Sequence, residues 1–410
     1  MPFLHGSLSF SRFQVVGGSP KRLDDNLMDK FRGHVIGKGK ARSDGVEIGW
    51  LGGRHLLDRE FDADKNVILD CLHFGMRVDS SKVPPDLMRA YVEQEREALL
   101  KANENWKPAR VRKEAIEAAR QRAAGEMKDG RFRSMRQFPI LWDTRSDVIY
   151  LGATQPAVQE RFMSLFRDTF DKRVERMSAG RLAYQWAEAA GNSRRIETAQ
   201  LAKYVPHARG NGHIEVYWTA ADPASRDYLG NEFLLWLWWM VAEQSDVIHL
   251  PDETDASVLI VKQLTLECPW AETGKQVLTA DGPASLPESR RALQGGKLPR
   301  RVGLILHRDG VQYELALQAE TFNVSGGVLP KLEKQPGEPV RGDLREQAEE
   351  RVEQVRHFSA TLDVLYHAYL AKRFSDDWAR VQRDIAGWVL DVDTPDAIRS
   401  RMADTGVAAG

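Results

Sequence analysis

Apolar and polar positions alternate along the chain in a way that separates short strands from amphipathic helices. Residues 8–16 are mixed apolar and polar and close on Gly17-Gly18, which predicts a strand. Leu23, Leu27 and Phe31, spaced by four, predict a helix over 22–35. Residues 45–51 and 66–78 read as strands, the second rich in Val, Ile, Leu and Phe. Pro84-Pro85 opens a helix through Leu87, Tyr91, Val92 and Leu99, because proline is tolerated in a first helical turn. Pro108 ends it, and a second helix is predicted over 109–127, with a narrow stripe of Val111, Ala115, Ala119, Ala123 and Met127. So little apolar area, at about 25 cal/mol per Å², gains little from a core. The two helices therefore read as an antiparallel hairpin projecting as a finger.

Residues 138–142 and 148–151 flank a turn at 143–146 and predict a β-hairpin. Thr154 and Pro156 start a helix whose buried stripe is Val158, Phe162, Leu165, Phe166, Phe170, Val174 and Met177. Residues 231–244 form a short helix apolar almost all round, predicted to be buried. Its Trp236, Trp238 and Trp239 could stack on bases, but their Leu, Met and Val neighbours favour a core. Strands are predicted over 247–250, 257–266 and 302–307, and a DG turn at Asp309-Gly310 leads into another over 312–319. A Gly/Pro/Ser-rich linker over 271–299 divides these strands. Helices over 343–374 and 376–390 follow, the first with Leu344, Ala348, Val352, Val355, Leu362, Tyr366 and Leu370 inside. The fold class is α+β, with mixed or antiparallel sheets and long helices. The predicted domains are an N-terminal α+β domain (1–83 and 128–190), the finger (84–127), a central α+β domain (191–342), C-terminal helices (343–392) and a fraying tail (393–410).

The 410 residues carry a formal net charge of only −1, yet residues 101–138 hold eleven Lys/Arg against five Asp/Glu. On a near-neutral chain that excess must be a local face or projection. The finger contributes Lys107, Arg110, Arg112, Lys113, Arg120 and Arg122, and the basic turn after it Lys128, Arg131, Arg133 and Arg136. Phe132 and Met135 sit among them as candidate gate or stacking residues. Cations interleaved with aromatics suit a polyphosphate backbone. Helical lysines and arginines also serve solubility, and i,i+4 pairs such as Lys113 with Glu117 can neutralise them. The excess persists where acidic partners thin out, and Lys297, Arg300 and Arg301 repeat it.

Other chemistry is sparse. Cys71 and Cys268 are the only cysteines, which excludes a disulfide framework and a cysteine-built zinc site. No G-x-x-x-x-G-K-[ST] loop, H-E-x-x-H or G-x-S-x-G occurs, and residues 37–40 (GKGK) read as a basic turn. His5, His34, His207 and His213 default to solvated or structural roles. A metal-dependent exonuclease would need clustered carboxylates. Its candidates are Asp24-Asp25, Asp62 with Asp64, and Asp252-Glu253 with Asp255, each in a turn-like setting. Neither cofactor nor metal is expected. The longest apolar run, 233–241, is about half a bilayer span. The expectation is a soluble, cytoplasmic protein.

The order of these elements resembles the recombination-associated protein RdgC family. It comprises F-S-R-F in the first strand, Gly49-Trp50, an apolar strand, the Lys/Arg/Glu hairpin, and R-F-R-S-M-R-Q-F-P-I-L-W-D-T over 131–144. The likeness is best over residues 8–185 and continues more weakly through G-N-E-F-L-L-W-L-W-W to the helix containing Leu362. The resemblance implies a homodimeric ring threaded by duplex DNA, largely sequence-independent binding, nucleoid association and antagonism of a RecA-type recombinase. It places pore and gate residues in 131–136, with Lys262 and Lys297 at weaker pore positions; Met135 stands where the family presents an aromatic. The alternatives are the exonuclease and an interaction scaffold whose basic hairpin meets an acidic protein.

Overall fold

A computed structural model describes residues 3–38, 45–103, 105–205, 216–219, 225–270, 273–330 and 344–391. The predicted tail over 393–410, His207, His213 and part of the 37–40 turn lie outside the described residues. The fold is α+β, and its named strand pairings are antiparallel. The chain divides into two compact units. The first comprises Ser19–Thr144 and Glu160–Arg173; the second comprises Pro2–Gly18, Arg145–Gln159 and everything from Val174. The opening strand β1 (Leu8–Val15), read from the sequence as part of an N-terminal domain, clusters with the second unit.

In the first unit, α1 (Asp25–Gly33), β2 (Val46–Leu51), α2 (Ala63–Asn66), β3 (Val67–Ile68) and β4 (Cys71–Ser81) come in turn. The single strand predicted over 66–78 is thus the end of α2 followed by two strands. Leu69 takes φ +52 and turns the chain between β3 and β4. Helices α3 (Pro85–Ala102) and α4 (Pro108–Lys128) follow, each with proline in its first turn, and then β5 (Arg133–Asp143). β4 lies between β2 and β5, with Trp50 opposite Met76 and Phe74 opposite Ile140. Phe31, Trp50 and Phe74 pack edge-on, and Phe166 and Phe170 join them around Trp142. Both indoles are satisfied: Trp50 donates to Thr169 and Trp142 to Ser19, each at 2.9 Å. Gly49 is required because a Cβ there would lie 2.4 Å from the backbone nitrogen of Ile36.

The second unit adds β6 (Val148–Leu151), α5 (Pro156–Phe170, of which residues from Glu160 belong to the first unit), β7 (Val174–Arg176), α6 (Ala179–Ala189) and α7 (Ser193–Glu197). α5 stops at Phe170, where Asp171 turns left-handed at φ +54. Val174 and Met177 are buried as predicted, but beyond the helix. Next come α8 (Leu229–Trp239), which runs on as a π-turn to Gln244, β8 (Val247–His249) and β9 (Asp255–Glu267). The stretch predicted as a linker over 271–299 carries β10 (Gln276–Ala280) and α9 (Pro287–Gln294). β11 (Leu298–Arg308), β12 (Val311–Gln318), β13 (Val324–Val328), α10 (Leu344–Arg373) and α11 (Trp378–Leu390) complete it.

The second unit's strands run β10-β9-β11-β12-β13-β1, with β6 and β7 also on β1 and β8 on β9. α8 packs on β11, its Trp236, Trp238 and Trp239 buried, so these rings are core and not stacking platforms. Two polar residues inside this apolar helix are fully spoken for. Asn231 donates to Pro299 and Glu320 at 2.8 Å, and Glu232 accepts from Tyr369 at 2.9 Å and Arg373 at 2.6 Å. Buried polar groups persist only when paired in this way. Arg12 of β1 meets Asp363 of α10 at 2.7 Å, fixing strand to helix in the interior.

Candidate nucleic-acid interface

The finger is an antiparallel pair of helices joined over residues 103–107. Ala115, Ala119 and Ala123 form a small-residue seam that is fully buried, with Val111 at its start. Small side chains let the helix axes approach, and Tyr91 with Val83, Leu87, Met88 and Val92 of the facing segment fills the space. Tyr91 donates to Glu126 at 2.7 Å across the pair, and Arg122 lies over the Tyr91 ring at 4.1 Å. The Tyr91 bond, aided by nearby Arg131 and Arg122, holds the Glu126 carboxyl below the usual carboxylate range.

The cations divide by what they touch. Arg122 is held by Gln94 at 3.0 Å and by Glu126 at 3.6 Å, and Arg131 approaches Glu126 at 3.7 Å. Lys107, Arg110, Arg112, Lys113, Arg120, Lys128 and Arg136 are exposed and form no ion pair with any described residue. The Lys113–Glu117 pair that the sequence allows does not form. Arg110, Lys113, Arg120 and Lys128 fall on the outer half of α4, away from the alanine seam; Glu114 and Glu117 interrupt them. Arg110 stacks on Trp106 at 4.1 Å and Arg136 on Phe138 at 5.3 Å. A guanidinium resting over a ring face still has N–H groups to offer a phosphate.

The segment read as a basic turn over 131–136 is a strand from Arg133 onward. Its first four residues are exposed because β5 outruns the core there, although it stays paired with β4 to Ser81. Arg133 is not free. It donates to Asp79 at 2.6 Å and nears Glu47 at 3.4 Å, while Arg77 grips Asp79 through two bonds of 2.7 and 2.6 Å. Phe132 is half-buried in the turn, and Met135, 37 % exposed, stands directly opposite Asp79.

Four expected cations lie in the second unit. Lys262 sits at a bulge with φ +62 and pairs with Glu314. Arg300 is clamped between Glu267 at 2.8 Å and Glu320 at 2.7 Å and stacks on Trp218 at 4.4 Å. Lys262 is paired at the surface and Arg300 within the fold, so both leave the candidate set with Arg133. Lys297 reaches only Gln276, at 3.3 Å, and Arg301 has no ionic partner among the described residues. Sequence patterning could not sort these groups, because the partners of Arg133, Lys262 and Arg300 all lie twenty or more residues away along the chain. Trp106 escaped notice for a related reason: its role depends on Arg110 folding back over it.

The carboxylates that an exonuclease would use have structural tasks. Asp24 caps α1 through Leu27 N, Asp62 accepts from Asp64 N at 2.8 Å, and Asp252 binds Thr254 and Arg308. Among the described residues, no three His, Cys, Asp or Glu side chains converge as metal ligands. Nor is any helix among them long and apolar enough to cross a membrane. No protein-family model matches this chain, and no curated protein matches it.

Proposed function

We propose that this chain is a non-enzymatic, sequence-independent DNA-binding protein of the RdgC type. The reading extends to a homodimeric ring around duplex DNA, located on the nucleoid in the cytoplasm, that restrains a RecA-type recombinase. The observation that carries the DNA-binding core is a set of seven exposed cations, on the finger and at the start of β5, that form no ion pair with any described residue. Cations with no internal partner release condensed counterions when they meet phosphates, and they need no base contacts to do so. A ring built on such contacts would hold DNA topologically, its two-fold contacts isologous.

Charge reversal tests this directly. Arg112→Glu, Lys113→Glu and Arg120→Glu together are expected to weaken duplex binding by about a hundredfold or more near 0.1 M salt, alike on unrelated sequences. Lys262→Glu, which removes a charge already paired with Glu314, is expected to leave affinity within about twofold. Wild-type affinity in the triple variant would overturn the reading and assign the finger to an acidic protein partner.

A further inference from the structure

The second unit carries a polar cleft of about 530 Å³ where the ends of β7, β11 and β12 and the turn into β13 meet. That volume lies within the range of small-molecule sites. Its construction is irregular in one instructive way. Consecutive strand residues normally face opposite sides of a sheet. Yet Arg300 and Arg301 both line the cleft, because the register of β11 on β9 slips between Pro299 and Arg301. A bulge of this kind re-aims a side chain, and bulges gather beside binding sites.

The hydrogen-bonding groups are lopsided. The carboxylates on the wall are already used: Glu320 takes bonds from Asn231, Arg300 and Gln318, and Asp227 takes one from Gly180 N at 2.9 Å. Burial also pushes the Asp227 carboxyl up from its ordinary range. Several donors are not used. The side chains of Thr154, Arg176, Arg301, Thr321, Asn323 and Ser325 make no hydrogen bond with any described residue. Asn323 is mostly covered, at 9 % exposed, yet its amide keeps contact with solvent and bonds to no described residue. The turn that presents it is also held against its preference. Phe322 adopts φ +51, locked by ring contacts with Tyr366 at 4.6 Å and Phe233 at 5.9 Å. Bulky residues seldom take that conformation, and such strain clusters at ligand clamps.

We propose that this cleft is a binding site for a phosphate ester, its oxygens held by the Arg176 and Arg301 guanidiniums and by the Asn323 amide. Two guanidinium forks suit the paired oxygens of a phosphate, and the hydroxyls of Thr321, Ser325 and Thr154 supply further donors. The phosphate belongs either to a free nucleotide-sized ligand or to a nucleic-acid backbone. The cleft lies in a different unit from the finger, and its occupancy is separable from finger binding by mutation.

The test is calorimetric titration of the intact chain at low salt with inorganic pyrophosphate, thymidine monophosphate and a duplex of arbitrary sequence. Arg301→Gln and Arg176→Gln are each expected to weaken at least one of these probes tenfold or more. Both guanidiniums reach solvent, so unchanged melting curves are expected to show that the variants fold. Arg112→Gln, on the finger, is expected to leave pyrophosphate and monophosphate binding unaltered while lowering duplex affinity. Loss confined to the small probes identifies a free ligand, and loss confined to duplex identifies a backbone phosphate. If all three probes bind both cleft variants as they bind wild type, or none binds at all, the cleft is not a phosphate site.

Discussion

Asp79 takes up charge that would otherwise be offered to a ligand. Its side chain is 3 % exposed and holds Arg77 and Arg133 at once. Burial opposes its ionisation, but hydrogen bonds from Arg77 and then Arg133 outweigh that cost and keep the carboxyl below the usual range. The unfolded chain therefore binds this proton more readily than the folded one. The stabilisation is complete above the unfolded Asp value of about 4 and is lost as pH falls through the lower folded value. Asp79→Asn, which leaves the buried Arg77 without its counter-ion and Arg133 with Glu47 alone, is expected to cost about 3–5 kcal/mol by urea denaturation. It should also flatten the acid-side slope of stability against pH. Arg133→Gln, at a half-exposed partner, is expected to cost under about 1 kcal/mol and to leave duplex affinity unchanged. None of this was legible from residues 131–136 alone. The run R-F-R-S-M-R announces positive charge, and only the register of β5 on β4 reveals which arginine meets an aspartate.

At the scale of elements, the finger was readable nearly residue by residue. Proline at the start of each helix, and a four-residue rhythm of small side chains, mark both helices and the face they share. The alanine seam makes a sharp prediction. Ala119→Leu inserts bulk where Tyr91 already fills the space, and is expected to cost the hairpin about 1–3 kcal/mol. Hydrogen exchange should quicken through α3 and α4, while β9 and β11 keep wild-type protection. Elements after residue 271 were harder to read. β10 and α9 hide in a Gly/Pro/Ser-rich segment, because each is short and takes its stability from β9 and α11. Turn-like composition there describes the connections and not the elements between them.

At the scale of the whole molecule, the sequence disclosed the fold class but not the connectivity. β1 pairs with β13, joining Phe10 to Val324 across most of the chain, and no local pattern encodes such a contact. The cleft beneath Arg301 was invisible for the same reason, since its lining comes from segments scattered between Thr154 and Ser325. A ring also makes a prediction of its own at this scale. The chain should sediment as a homodimer, and a high-salt wash should strip it from linear duplex while leaving it on closed circles. Equal loss from both would argue for binding without encirclement.

The salt dependence of duplex binding tests the central claim most directly. If the seven cations that lack an ion pair among the described residues each meet a phosphate, log affinity against log salt should be a line of slope about −6 per protomer, about −13 for the homodimer, at about −0.9 per contact, for any sequence. Fluorescence anisotropy with two unrelated duplexes between 50 and 300 mM salt, on the order of the range where such contacts titrate, suffices to read it. A slope near zero, or measurable binding to one sequence alone, would contradict the account.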